Sequence, residues 1–155
     1  MQYGSKDTAG REQRTSLLLE APLGRVWEVW TKPEHIRHWW GPNGFTNTIE
    51  KMEVEPGGEW LFTMHGPDGR AYPNRTIFRE VVPYRKLVHE HVDPNFMAVI
   101  EFEGGDNKTL LHWYKLYETE ELFEKVEKEY KASEGFKQTI ERLQAYLDGN
   151  KNKRG

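Results

Sequence analysis

The 155-residue chain contains no cysteine. Disulfides, thiolate zinc sites, iron–sulfur clusters and a thiol nucleophile are therefore excluded. It also lacks a charge excess. Its 22 Lys and Arg stand against 25 Asp and Glu, a net charge of −3, so there is no basic footprint for nucleic acid or an anionic membrane. No apolar run approaches the ~18 residues that suggest a bilayer span. Residues 1–13 are polar and hold no apolar stretch of a secretory signal. A cytoplasmic protein is expected. Nothing resembles a nucleotide-binding glycine loop: Gly57-Gly58 and Gly104-Gly105 read as hairpin turns, so ATP or GTP chemistry is not expected.

Aromatic residues are what the chain has in quantity. Apolar residues make up only 36%, yet 6 Trp, 7 Tyr and 7 Phe are present. That supply of large rings rules out disorder for most of the length and supports one folded core. Residues 1–13 read as a flexible N-terminal arm, 14–149 as a single domain and 150–155 as a polar tail.

The periodicity changes three times. A Thr/Leu-rich run from Arg14 to Glu20 reads as a strand. Pro22 suits the first turn of a helix carrying Val26, Trp27, Val29 and Trp30. Lys32-Pro33 stops it and opens a second short helix with Ile36, Trp39 and Trp40 on one face, ended by Gly41-Pro42. Residues 45–117 then alternate with period two. Pro56-Gly57-Gly58, Gly66-Pro67-Asp68-Gly69, Val82-Pro83-Tyr84 and Gly104-Gly105-Asp106-Asn107 divide them. This predicts six further strands, about 45–54, 58–65, 72–82, 86–92, 96–103 and 108–117. From Thr119 the period becomes helical, with a break expected near Ser133–Gly135 and a stop at Gly149. The expected fold is α+β: a curved seven-stranded antiparallel sheet wrapped on a long C-terminal helix, with two short helices between strands 1 and 2.

One stretch carries a resemblance. It runs Ala21-Pro22-Leu23-Gly24-Arg25-Val26-Trp27-Glu28-Val29-Trp30-Thr31-Lys32-Pro33-Glu34-His35-Ile36 and continues through Trp39-Trp40-Gly41-Pro42. Pro56-Gly57-Gly58-Glu59-Trp60, Gly66-Pro67-Asp68-Gly69 and Gly135-Phe136…Leu143…Leu147 add to it. Over about residues 14–148 the chain resembles the activator of heat-shock-chaperone ATPase homologue family, within the SRPBCC superfamily of START-like, helix-grip domains. Phe136 stands where that family usually has Trp. The resemblance implies the helix-grip fold and, through the family name, a partner among heat-shock chaperones.

Alternation also suggests an inner face. Trp60, Phe62 and Met64 share one side of their strand; Tyr72, Asn74, Thr76, Phe78 and Glu80 share one side of the next, opposite Arg75 and Arg79. His89 and His91 are placed inward, with Phe102 beside them and Phe136 and Ile140 facing them from the helix. These residues either pack as solid core or line a cavity for an apolar or amphipathic molecule. The polar members favour the cavity, because burying them unsatisfied is costly. His89-x-His91 with Glu80 could hold a metal ion or form an acid–base pair, but no nucleophile motif accompanies them, and neither a metal nor a cofactor is assigned. Trp39 and Trp40 read as a plug at the open end of the sheet, or as a gate to the cavity. The acidic run 118–134 reads as a solvated helix face with Glu121–Lys125 and Glu124–Lys128 pairs, or as a docking surface for a basic partner. Three functions follow: a small-molecule binder, a co-chaperone acting on a chaperone ATPase, or an enzyme on a ring-containing metabolite using Glu80 and a histidine. A monomer or a homodimer is equally compatible.

Overall fold

The computed structural model describes residues 10–92 and 95–154. Of the expected arm and tail, residues 1–9 and Gly155 lie outside the described residues. Seven strands form one antiparallel sheet: β1 (Glu12–Leu19), β2 (Thr46–Met52), β3 (Glu59–His65), β4 (Ala71–Val82), β5 (Lys86–Val92), β6 (Phe96–Gly105) and β7 (Lys108–Tyr117). Their order is β1-β7-β6-β5-β4-β3-β2, so every neighbour is a hairpin partner except β1, which closes on β7. The β6–β7 turn is made by Asp106 and Asn107, both at positive φ (43° and 62°). Two left-handed residues match the twist of flanking strands, and Asp and Asn tolerate that region best among residues with a Cβ. The preceding Gly104 and Gly105, read from sequence as part of the turn, are the last residues of β6.

The helices follow their local chemistry. Pro22 caps α1 (Leu23–Thr31), whose buried face is Val26, Val29 and Trp30. Lys32 is extended (φ −108°, ψ 128°) because the following proline disfavours the helical region, and α2 (Pro33–Ile36) starts on that proline. This helix ends at Ile36, so Trp39 and Trp40 sit in the turns after it rather than on its face. Thr119 Oγ1 accepts a hydrogen bond from Leu122 N (3.0 Å) and starts α3 (Glu120–Tyr130). The break between α3 and α4 (Ala132–Arg154) falls at Lys131, earlier than the expected Ser133–Gly135, with Lys131 left-handed at φ 52°. Glu127 holds this elbow: its carboxylate accepts from Ser133 N (3.1 Å) and from the Ser133 hydroxyl. Once Glu127 caps the new helix, Gly135 lies inside the first turns of α4. Gly149 does not stop the helix either, since α4 runs on to Arg154; one glycine weakens a helix by about 1 kcal/mol and need not end it.

Bulges bend the sheet at Ile49–Lys51 and at Phe78–Glu80. The core fills the concave side, between the strands and α1, α2 and α4. It includes the fully buried Trp30, Trp39, Trp60 and Trp113, with Phe136, Leu143 and Leu147 of α4 against them.

Candidate functional site

The bulge at Phe78–Glu80 corrects one expectation. It shifts the alternation of β4 by one residue, so Val81 turns toward the core and Glu80 turns out. Glu80 is exposed and pairs with Lys86 (3.4 Å) on the outer face. It meets neither His89 nor His91, and the acid–base and metal readings lose their carboxylate. Among the described residues no three metal-ligating side chains converge.

The centre of the grip is filled by rings. Trp60 stacks on Phe62 (4.3 Å between ring centres), Trp40 meets Trp60 edge-on (5.0 Å) and lies parallel to Trp113 (5.8 Å). Trp113 meets Phe136 at 4.8 Å and Trp30 at 4.8 Å; Trp30 meets Trp39 at 4.9 Å and Phe102 at 6.2 Å. Trp39 is fully buried and donates from Nε1 to Val29 O (3.1 Å), which fixes it as a structural plug, whereas Trp40 is half-buried. Trp60, Phe62, Thr76, Phe78, Phe102 and Phe136 are buried in this layer, and Ile140 packs half-buried against it. At their positions the solid-core reading holds.

The cavity opens at one end of this layer. Its volume is ≈ 620 Å³, and it is lined by Pro42, Asn43, Phe45, Met64, Ala71, Tyr72, Pro73, Asn74, His91, Tyr130, Lys131, Glu134, Gly135 and Gln138. Sheet residues form its floor, the Gly41–Phe45 loop one wall, and the α3–α4 elbow its roof. Met64, Tyr72, Asn74 and His91, expected from alternation, all line it. Phe45 and Tyr72 face each other at 6.0 Å. One polar pair stands on the apolar floor: His91 Nε2 and Asn74 Oδ1 are 2.6 Å apart, while Asn74 Nδ2 donates to Tyr72 O (2.7 Å). The amide is thereby fixed with its oxygen toward the ring, so His91 donates from Nε2.

Arg142 builds the wall. From α4 it donates to five carbonyls of the loop: Trp40 (3.3 Å), Gly41 (2.8 Å) and Pro42 (2.9 Å) from Nη1, and His38 and Phe45 (3.0 Å each) from Nη2. Asn43 N adds a bond to Gln138 Oε1 (3.0 Å). Gly41 sits at φ +99°, a conformation that favours glycine, and a Cβ there would lie 2.6 Å from Met64 Cε, so a side chain would also push the mobile end of Met64 at the cavity edge.

Behind this wall lies a second polar feature. His89 is 3% exposed, ringed by Trp40 (6.4 Å), Trp60 (6.0 Å) and Phe78 (5.9 Å), and its Nδ1 has no hydrogen-bond partner among the described residues. Burial, with the charges of His91 and Lys115 nearby, pushes it down to about 3, so it is neutral at pH 7. Lys115 shares its row of the sheet: His89 pairs with Ala98, and Ala98 with Lys115. Burial lowers the Lys115 ammonium to about 8.

Sequence reading missed Lys115, Arg142 and the loop and elbow residues. Lys115 had a signal: Trp113-x-Lys115-x-Tyr117 alternates, which puts the lysine on the face of two buried rings. Nothing local marks Arg142, because its five partners are about a hundred residues away in the chain.

With this geometry in place, the comparisons decide the family. The model for "Activator of Hsp90 ATPase homolog 1-like protein" matches residues 20–148. The chain belongs to this family. No curated protein matches it. Among solved structures, a solution structure of an Arthrobacter aurescens protein is 26% identical with a TM-score of 0.85, over 94% of this chain and 90% of that one. A crystal structure of a Nitrosomonas europaea protein is 24% identical with a TM-score of 0.81, over 92% and 97%. An AHSA1-like protein from Aeromonas hydrophila is 17% identical with a TM-score of 0.72, over 89% and 94%. The domain has the START-like helix-grip fold. None of its helices is long and apolar enough to cross a membrane, among the described residues.

Proposed function

We propose that this protein binds a small apolar or amphipathic molecule in the cavity between β3, β4 and β5, the Gly41–Phe45 loop and the α3–α4 elbow. The observation that carries the reading is a cavity of ≈ 620 Å³, within the range of small-molecule sites, with an oriented polar pair, His91–Asn74, on a floor of Met64, Tyr72 and Pro73, and further polar groups, Asn43, Lys131, Glu134 and Gln138, on its wall and roof. The apolar floor supplies affinity at about 25 cal/mol per Å² buried, and His91 orients one polar end of the ligand. Native mass spectrometry of the purified protein tests it. A bound mass that is released on denaturation, and lost in Met64→Glu, is the expected result; a protein that stays bare and is unaffected by apolar ligands overturns it.

The second reading, a surface that modulates a heat-shock chaperone ATPase, has the family description behind it. It predicts stimulation of the chaperone's ATP hydrolysis that Met64→Glu leaves unchanged. For the third reading, an enzyme on a ring-containing metabolite, the outward turn of Glu80 removes the proposed acid–base partner.

A further inference from the structure

The outer face of the sheet carries a polar cluster that the end cavity does not use. Ser16 of β1 and His112 of β7 are register partners, and Ser16 Oγ lies 2.7 Å from His112 Nδ1. On its other side the ring meets β6, with His112 Nε2 2.9 Å from Glu103 Oε2. A carboxylate only accepts, so the neutral ring carries its proton on Nε2 and donates it to Glu103; Nδ1 is left to accept from the Ser16 hydroxyl. Hydroxyl, imidazole and carboxylate thus stand in line, both links within the roughly 2.6–3.2 Å of an activated nucleophile and its base. The backbone adds a donor. Tyr117 N donates to Arg11 O (2.8 Å), and bonded and non-bonded pairs alternate along an antiparallel ladder, so Ser16 and His112 form a non-bonded pair. That brings their side chains close and turns Ser16 N–H toward the open edge of the sheet, where no acceptor among the described residues takes it. Thr48 and His65 make a similar contact elsewhere on this face (2.9 Å), but no carboxylate among the described residues pairs with that ring. A cross-strand hydroxyl–imidazole pair is ordinary sheet chemistry; the third member and the free N–H set Ser16 apart.

We propose that Ser16, His112 and Glu103 form an acyl-transfer site that hydrolyses short-chain aryl esters. The site lies on the opposite face of the sheet from the end cavity and does not rest on that reading. Ser16 Oγ attacks the ester carbonyl carbon, its proton passes to His112 Nδ1, and Glu103 holds the imidazolium that forms. Ser16 N–H donates to the carbonyl oxygen as it becomes negative. The proton then moves from Nδ1 to the leaving phenol oxygen as the acyl C–O bond breaks, and an acyl-serine remains. Water attacks the acyl-serine by the same proton route, which releases the acid and restores the hydroxyl. Leu18, two residues along on the same face and 53% exposed, stands opposite Leu110 and gives the acyl chain an apolar rest. Beyond the imidazole a cleft of ≈ 530 Å³, lined by His112, Glu103, Tyr114, Glu101, Arg85 and Lys86 among others, takes the alcohol half. Ser16 stands beside this cleft rather than in its lining, so the leaving group lies over the ring that must protonate it. A single oxyanion donor at an open site makes a slow catalyst, which restricts the substrates to esters whose leaving group is as acidic as a phenol.

The test uses the full-length protein with p-nitrophenyl butyrate as substrate and diisopropyl fluorophosphate as a covalent probe. Ser16→Ala and His112→Asn should each lower kcat/KM at least about tenfold, the low end of what a positioned base and its nucleophile supply. Glu103 acts through the ring, so Glu103→Gln should lower kcat severalfold with KM unchanged, and Glu103→Asp should restore part of the loss. In the native protein the probe should modify Ser16, located by peptide mass spectrometry, and leave Thr48 unmodified; this readout needs no variant. In His112→Asn the modification of Ser16 should disappear. Ester hydrolysis that survives Ser16→Ala would show that the imidazole acts alone and would overturn the proposal. A Ser16 that the probe leaves untouched, or modifies no faster than Thr48, would overturn it as well.

Discussion

Lowering the pH should destabilise this protein through His89. The ring is buried against Trp40, Trp60 and Phe78, faces the positive Lys115 across Ala98 and has His91 two residues along its own strand. No carboxylate among the described residues is placed to accept its second proton. Its native value of about 3 lies below the ordinary 6.5. The unfolded chain therefore takes up the proton first, and stability falls as the pH drops below about 6.5, levelling only near 3. With 1.36 kcal/mol per pH unit, the loss between pH 7 and pH 4.5 is about 2.5 kcal/mol from this group alone. Other acids and histidines titrate over the same range, so the measurement is a difference. Urea unfolding of the native protein and of His89→Leu at pH 7, 5.5 and 4.5 gives two stability curves. The variant should be at least as stable at pH 7, because the unpartnered Nδ1 is removed, and should gain on the native protein by about 2.5 kcal/mol at pH 4.5. Parallel curves would refute the reasoning and mean that His89 reaches water or an acid.

Trp39→Ala should destabilise by about 3–5 kcal/mol in a thermal or urea melt, since it empties a fully buried site and orphans Val29 O. Trp40→Ala, at a half-buried site, should cost less. Arg142→Lys should lose about 2–3 kcal/mol and weaken ligand binding together, because an ammonium cannot fork to five carbonyls and the cavity wall loosens; unchanged binding would show that the wall stands without it. Glu80→Gln should leave stability within about 0.5 kcal/mol and leave any ligand affinity unchanged, as expected for an exposed ion pair.

Much of the fold was legible because turn residues and period changes are local. Asp68-Gly69 and Asp106-Asn107 mark hairpins, Thr119 caps a helix, and Trp30, Trp60 and Phe136 keep their periods. Where the reading slipped, the cause was an element the alternation does not carry. A bulge after Phe78 leaves no signature in a run of polar and apolar residues, yet it reverses every later side chain of β4, and Glu80 went with it. Gly149 suggested a stop, but no competing structure there ends α4. The candidate site was half visible. Alternation found Met64, Tyr72, Asn74 and His91, which one end of the sheet brings together. It also gathered Trp60, Phe62, Phe78 and His89, which rings from elsewhere in the chain close over. Only tertiary contact shows that Trp40 and Trp113 fill that space, or that Arg142 reaches back to the Gly41–Phe45 loop.

The central claim is that a ligand occupies the end cavity rather than the sheet's outer face or the acidic helix. Backbone amide NMR during a titration with decanoate tests it most directly. The account predicts shifts concentrated at Asn43, Phe45, Met64, Tyr72, Asn74, His91, Gly135 and Gln138, with Glu80 and the exposed face of α3 unmoved. Shifts centred on Glu80 and Lys86, or on α3, with the cavity residues silent, would contradict it.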